Sequence, residues 1–399
     1  MNKGIDSPFA TAAYKANPYS LYAQLRNETP VHKTVLPNGV EVYLVTRYAD
    51  VLAGLKDDRL VKNIRNARPP GLLDKLGLDG LRNNNMLRAD PPEHTRLRNL
   101  ANEAFKPKYI NPLRAHIEEI ANQLVDKVQA AGKMDLIADF AFPLPITVIS
   151  EMLGVPAKDH QRFRSWSSAL IASGALSSES PHVGPELLQL GNYVRQLIAD
   201  HRKHPKDDLI SQLLGAEENG DRLNDRELLG TIVLLLIAGH ETTVNLIGNG
   251  MLALLQYPDQ LAILKQDPAR IKPAVEEILR YVNPVQIVNR YAAEDLEIAG
   301  QKIPRGSHLQ LVLASANHDP AYVAAAEHLD LTQAEAKHVA FGQGIHYCLG
   351  APLARLEGEI AFATLLKRLP HIQLDIAPEQ VEWRPAFELR GLQALPVVF

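Results

Sequence analysis

The chain has 399 residues, 46% hydrophobic and 22% charged, with a net charge of −4 and a pI near 6.4. This is an ordinary composition for a packed globular protein, and a chain of this length buries a core without disulfide or metal staples. The mild acidity argues against a nucleic-acid partner or a polybasic membrane anchor, and a single cysteine, Cys348, excludes an intramolecular disulfide and fits a reducing compartment.

In chain order, the N-terminal MNKGIDSPFATAAYKANPYS contains no apolar run of the signal-peptide kind, and a cytoplasmic protein is expected. Val40 to Thr46 is rich in β-branched and aromatic residues, with Asn38-Gly39 as a turn before it, so a strand is predicted there. From about Asn111 to Glu277 apolar residues recur at helical spacing, punctuated by Pro143, Pro145 and Pro156. Residues 172–186 are small and polar and read as a mobile loop between helices.

The segment 224–257 predicts one long helix. Asn224 and Glu227 have capping-box spacing, and Pro258 ends the pattern. At 1.5 Å per residue the rod would be roughly 50 Å long, and 228–238 is apolar nearly all round, so it should be buried on every side. The apolar stretch Leu228 to Gly239 falls short of the ~20 residues of a membrane span. A second β region is predicted over Gln286 to Leu313, with turns at Ala299-Gly300 and Arg305-Gly306, and a last helix over Pro352 to Leu369. The expectation is a single, mainly α domain over 1–399, its β-rich lobe mostly within 30–60 and 285–315.

The cysteine lies in Phe341-Gly342-Gln343-Gly344-Ile345-His346-Tyr347-Cys348-Leu349-Gly350. The glycines permit a tight turn and close approach to a flat ligand, and Pro352 marks the start of a helix. A helix N-terminus favours thiolate over thiol, which suits a soft ligand to haem iron. Taken alone, a lone cysteine is more often a buried structural residue. Position 347 is Tyr, so the glycines make no dinucleotide fingerprint, and there is no second cysteine for a zinc site. In Ala238-Gly239-His240-Glu241-Thr242-Thr243 a metalloprotease reading fails, because Val244 stands where a second histidine is needed. The small Ala238 and Gly239 would leave room beside the helix. His94 and Arg98, four apart at the edge of an apolar helix face, invite an anion. For Glu277 and Arg280, periodicity places the pair opposite the apolar face of Val275, Ile278, Leu279 and Val282, as a solvated ion pair.

The cysteine loop resembles the signature F-x-x-G-x-[RH]-x-C-x-G of the cytochromes P-450 and matches every fixed position. The resemblance extends in order and spacing to ADPPEHTRLR (89–98), AGHETT (238–243), EEILR (276–280) and VNRYAAEDLEIAGQKIPRG (288–306). It implies a mainly α P-450 fold with small antiparallel sheets and heme b (iron protoporphyrin IX) between the long central helix and the cysteine-loop helix. Cys348 would be the axial ligand, with Phe341, Gly342, Ala238 and Gly239 against the cofactor and His94, Arg98, Arg290 and His346 at its propionates. Thr242 would be the oxygen-side hydroxyl and Glu241 its acidic neighbour in proton delivery. The resemblance also puts Glu277 and Arg280 inside, as a structural pair. The segment AYVAAAEHLDLTQ (321–333) departs from the family, with His328 where an arginine is usual, which leaves the third member of the ion-pair triad open.

The function this implies is monooxygenation of a hydrophobic small molecule. Electrons would come from a ferredoxin or flavodoxin and its NAD(P)H-dependent reductase. The alternative is a haem-thiolate protein that binds ligand without turnover, or a peroxide-driven or ring-coupling variant; Glu241 and Thr242 together favour the oxygenase. The chain resembles bacterial enzymes that hydroxylate polyketides and macrolides, so a bulky apolar substrate is expected. Its pocket would be formed by 63–88, 163–190, 231–242, 285–290 and 390–393. Arg96, Lys106, Lys108 and Arg355 are expected to form a basic patch for the electron donor.

Overall fold

The computed structural model describes residues 14, 16–36, 39–68, 85–102, 105–163, 165–166, 185–216, 220–333, 337–384 and 387–399. Asn38 of the predicted turn, 172–184 of the predicted loop, and parts of the predicted pocket segments 63–88 and 163–190 lie outside them.

The helices that build the site are α1 (Glu93–Asn102), α2 (Leu113–Gln129), α3 (Pro143–Met152), α4 (Pro185–Lys203), α5 (Asp225–Gln256), α6 (Ile271–Val282) and α7 (Ala351–Arg368). The predicted capping box starts α5. The Asn224 side chain accepts from the N–H of Arg226 and of Glu227, and Glu227 Oε2 accepts from the N–H of Asn224 at 2.9 Å. Helix α5 runs 32 residues and packs on α3, α4, α6 and α7. Among the described residues it alone is long and apolar enough to cross a membrane, and 78% of its most apolar window is buried inside the protein. Being apolar all round, it serves as the axis of the core, with Leu228, Ile232, Leu236, Ile247 and Met251 buried among side chains of the surrounding helices.

The main sheet has strand order β1-β2-β8-β5-β3, from β1 (Val31–Val35), β2 (Glu41–Val45), β3 (Leu60–Val61), β5 (Val288–Ala292) and β8 (His308–Leu311). Its ladders are antiparallel except β2 on β8. The turn Ala299-Gly300 joins β6 (Leu296–Ile298) to β7 (Gln301–Ile303), with φ of 49° and 81°, as its sequence predicts. A further sheet, β4 (Lys133–Asp135), β10 (Pro396–Val398) and β9 (Gln373–Leu374), was not legible in the sequence. Its strands are two or three residues long, and β10 pairs with β4 across more than half of the chain, so no local period betrays them.

Candidate functional site

The cysteine loop turns on two glycines in the left-handed region, Gly342 (φ 70°) and Gly344 (φ 72°). At Gly344 a Cβ would stand 2.7 Å from the carbonyl oxygen of Leu55, so the turn excludes any larger residue. The loop closes when the N–H of Cys348 donates to Phe341 O at 2.9 Å, and α7 begins three residues later with Pro352 in its first turn. Cys348 therefore sits at the helix N-terminus, facing a large internal cavity. Burial pushes its thiol pKa up, against the lowering pull of the Gly350 N–H, Arg98, Arg355 and the Ala351 N–H. The expected helix-end effect is present and is opposed by desolvation.

Opposite the cysteine, the buried run of α5 is interrupted at Ala238 and Gly239, which face the cavity. The cavity measures about 1630 Å³. Small-molecule pockets span about 300–1,000 Å³, so this one has room for a cofactor and a substrate together. Ile149, Val233, Leu234, Ile237 and Leu389 supply apolar wall. Thr242 and Glu241 also line it. The Thr242 hydroxyl donates to Ala238 O at 3.0 Å, and Glu241, 2% exposed, is paired through Oε1 with Arg384 Nη1 at 2.6 Å.

One end of the cavity is cationic. Lys62, His94, Arg98, Arg290 and His346 all line it, and the rings of His94 and His346 lie 4.2 Å apart. Arg290 is buried, and desolvation lowers its pKa to about 10. Burial and the neighbouring Lys62, Arg290, His94 and Arg98 drive His346 down to about 2, and Lys62 is likewise held well below the ordinary lysine value. The nearby carboxylate of Asp90 is taken up by the N–H groups of Lys62 and Asn63 and by Asn66 Nδ2 at 2.7–2.9 Å. Nδ1 of His94 is buried without a partner. Such a cluster of mutually opposed cations is relieved by a buried anion, so the residues fit a flat dianionic cofactor such as haem. Lys62 escaped sequence reasoning. It is a lone lysine after a two-residue strand, and its neighbours in space come from residues 94, 290 and 346.

The structure also places the ion pair, His328 and the basic residues expected at the surface. The Glu277–Arg280 pair is inside, 2% and 0% exposed, as the family resemblance implied and helical periodicity did not. Arg280 donates twice to Glu277 at 2.7 Å and also to the carbonyls of Asn317, Ala326 and His328 at 2.8–2.9 Å. His328 completes the site with its backbone, while its side chain is exposed, so no third charged side chain is needed. The basic patch is also altered. Arg96 is bound by Asp221 and Glu227, and Arg355 by Glu276, so neither is an unpaired surface charge.

Residues 189–384 match the sequence profile of the family Cytochrome P450. Over 388 residues the chain is 44% identical to the polyketide biosynthesis cytochrome P450 PksS of Bacillus subtilis (strain 168), covering 96% of this chain and 95% of the relative. It is 43% identical to the cytochrome P450 monooxygenase PikC of Streptomyces venezuelae, covering 96% and 91%. The solved structure of PksS superposes with a TM-score of 0.92 at 42% identity, covering 99% of each chain. That of P450BioI, in complex with an acyl carrier protein bearing hexadec-9Z-enoic acid, gives 0.90 at 39%, covering 98% of this chain and 100% of that one.

A mainly helical fold around one long axis, with a cysteine and a cationic cluster sharing a cavity, defines the haem-thiolate class. The chain belongs to the cytochrome P450 family. It is a monooxygenase of that family, its relatives include a polyketide biosynthesis cytochrome P450 and a 6-deoxyerythronolide B hydroxylase, and family membership implies haem with a cysteine thiolate ligand.

Proposed function

We propose that this enzyme hydroxylates a bulky, largely apolar small molecule of polyketide or macrolide type, inserting one oxygen atom of dioxygen. The observation that carries the reading is the cavity of about 1630 Å³ between Cys348 and Ala238-Gly239, too large for the cofactor alone and walled by aliphatic side chains. The names of two relatives, the polyketide biosynthesis cytochrome P450 PksS and a 6-deoxyerythronolide B hydroxylase, point to the same chemistry. When bound, haem supplies dioxygen activation, and an axial thiolate favours cleavage of the O–O bond.

The chain's own residues would divide the remaining work. Cys348 would ligate the iron, with Phe341 and Gly342 beside it. His94, Arg98, Arg290 and His346 would hold the propionates, joined by Lys62. Ala238 and Gly239 leave space on the opposite side. The Thr242 hydroxyl would orient water by hydrogen bonding, and Glu241 would supply protons to it. Glu277 and Arg280 would be structural, tying α6 to the segment before the cysteine loop. The chain would work as one catalytic unit in the cytoplasm, with electrons from a separate ferredoxin or flavodoxin and its NAD(P)H-dependent reductase.

Two measurements test this. Cys348→Ser or Cys348→His should abolish the red-shifted Soret band of the reduced carbon monoxide complex; an unchanged band would overturn the ligand assignment. A panel of macrolactones, linear polyketides and fatty acids, titrated against the ferric spectrum, should give the tightest substrate-type shift with a polyketide. A panel in which only fatty acids bind would overturn the substrate class.

A further inference from the structure

Glu241 is enclosed in protein, yet it is attached to one polar route outward. Arg384 Nη1 holds Oε1 at 2.6 Å, Oε2 is buried without a partner, and the Arg384 side chain is 24% exposed. The ion pair thus links the cavity wall to solvent. Arg384 belongs to a C-terminal hairpin in which Trp383 bridges Leu392, Arg384 N–H donates to Gly391 O at 2.9 Å, and Gln393 N–H donates to Glu382 O at 2.9 Å.

This hairpin is seated on a polar stripe of an otherwise apolar helix. Glu241, Asn245 and Asn249 follow at intervals of four residues on α5 and so share a face. Asn249 Nδ2 donates to Arg390 O at 2.8 Å, and a Cβ on Gly391 would lie 2.0 Å from Asn245 Oδ1, so the hairpin backbone lies directly on the stripe. The same hairpin places Glu388 and Leu389 in the cavity wall. A shift of the hairpin by a bound substrate is therefore a shift of Arg384.

We propose that Arg384 is the positioning residue for proton supply: it anchors one oxygen of Glu241 and ties that carboxylate to the hairpin that walls the substrate cavity. The inference rests on the reading of Glu241 as the proton-supplying carboxylate. In the step itself, the Glu241 carboxylate accepts at Oε2 a proton that bulk solvent supplies as hydronium through water at the exposed Arg384 edge, and releases it toward the Thr242 side of the cavity, returning to carboxylate. Arg384 is the charged group facing Glu241, with Asn245 as its polar neighbour on α5. Burial raises the Glu241 pKa, and Arg384 opposes that rise. Without Arg384 the carboxyl should keep its proton to higher pH and serve poorly as a carrier.

The test uses ferric holoenzyme and an infrared titration of the Glu241 carboxyl band, identified by its disappearance in Glu241→Gln. Arg384→Met should move the titration midpoint up by about 1–3 pH units. It should also move the pH profile of product formed per NAD(P)H, with a free macrolactone as the probe substrate. Arg384→Lys, which keeps the charge at a single point, should move both by less. If Arg384→Met does not accumulate, Arg384→Lys carries the test alone. An unchanged carboxyl titration in the Arg384 variants overturns the positioning role. If Glu241→Gln leaves product per NAD(P)H at the wild-type level, the reading of Glu241 itself fails, and this inference fails with it.

Discussion

Arg355 grips Glu276 with two parallel hydrogen bonds, 2.6 Å from Nε and 2.9 Å from Nη2, while its guanidinium lies 4.5 Å from the centre of the Phe341 ring and reaches the Tyr347 hydroxyl at 3.2 Å. The pair joins α6 to α7 directly under the cysteine loop. Although burial opposes it, the combined pull of His338 and Arg355 lowers the Glu276 pKa to about 2. Arg355 is thus part of the loop's support.

Charge reversal at Arg355 is therefore expected to damage the fold before it affects electron transfer. Arg355→Glu should lower stability by ~1.5–3 kcal/mol, the scale of charged hydrogen bonds, and weaken haem loading. The swap Glu276→Arg with Arg355→Glu should recover much of that loss. Thermal unfolding of the four proteins checks this; additive losses in the double variant would refute it.

If the proposed ferredoxin is the donor, cations other than Arg96 and Arg355 should steer it. Lys56 and Lys337 are exposed on a cleft beside Phe341, Gln343 and Tyr347, with Tyr322 at 42% exposure in its wall. Lys56→Glu and Lys337→Glu should slow reduction by ferredoxin, most at low ionic strength, because such steering is screened over about 8 Å at physiological salt. Stopped-flow reduction at several salt concentrations is the measurement. A rate indifferent to both salt and charge would place docking elsewhere.

Arg280 and His328 should respond oppositely to truncation. Arg280→Ala leaves the Glu277 carboxylate buried without its partner, and losses of about 3–5 kcal/mol are typical of such breaks. His328→Ala removes an exposed side chain but keeps the accepting carbonyl, so its effect should stay within about 0.5 kcal/mol. Haem content and thermal midpoint separate the two. A large loss in His328→Ala would return the side chain to the ion-pair site.

Glu357 on α7 is 1% exposed, and burial pushes its pKa up to about 8, only partly offset by the Thr243 hydroxyl beside it. The folded protein therefore holds a proton that the unfolded chain releases near 4.5. Its contribution to stability is complete below that value and is lost as pH rises to about 8, at up to about 1.4 kcal/mol per pH unit. Glu357→Gln, a neutral isostere, should match wild type at low pH and exceed it in thermal midpoint near neutrality. Parallel stability curves for the two proteins would contradict this.

Thr242→Ala should leave haem binding intact and lower the product formed per NAD(P)H, with the missing reducing equivalents recovered as hydrogen peroxide. Equal yield and equal rate in the variant would remove Thr242 from proton handling.

Sequence alone determined the features that depend on neighbours in the chain. The capping box at Asn224 and Glu227, the all-apolar face run of 228–238, the Ala299-Gly300 turn and the glycine turn before Cys348 each arise from interactions a few residues long, and each was legible. Tertiary structure decided the fate of the charges, because the cost of burying a charge depends on groups brought from elsewhere. Helical periodicity put Glu277 and Arg280 in solvent; carbonyls from residues 317, 326 and 328 made their burial possible. Lys62 joined the cationic end of the cavity only when β3 paired with β5, which carries Arg290. Glu241 met Arg384, 143 residues away, only when the C-terminal hairpin settled on α5.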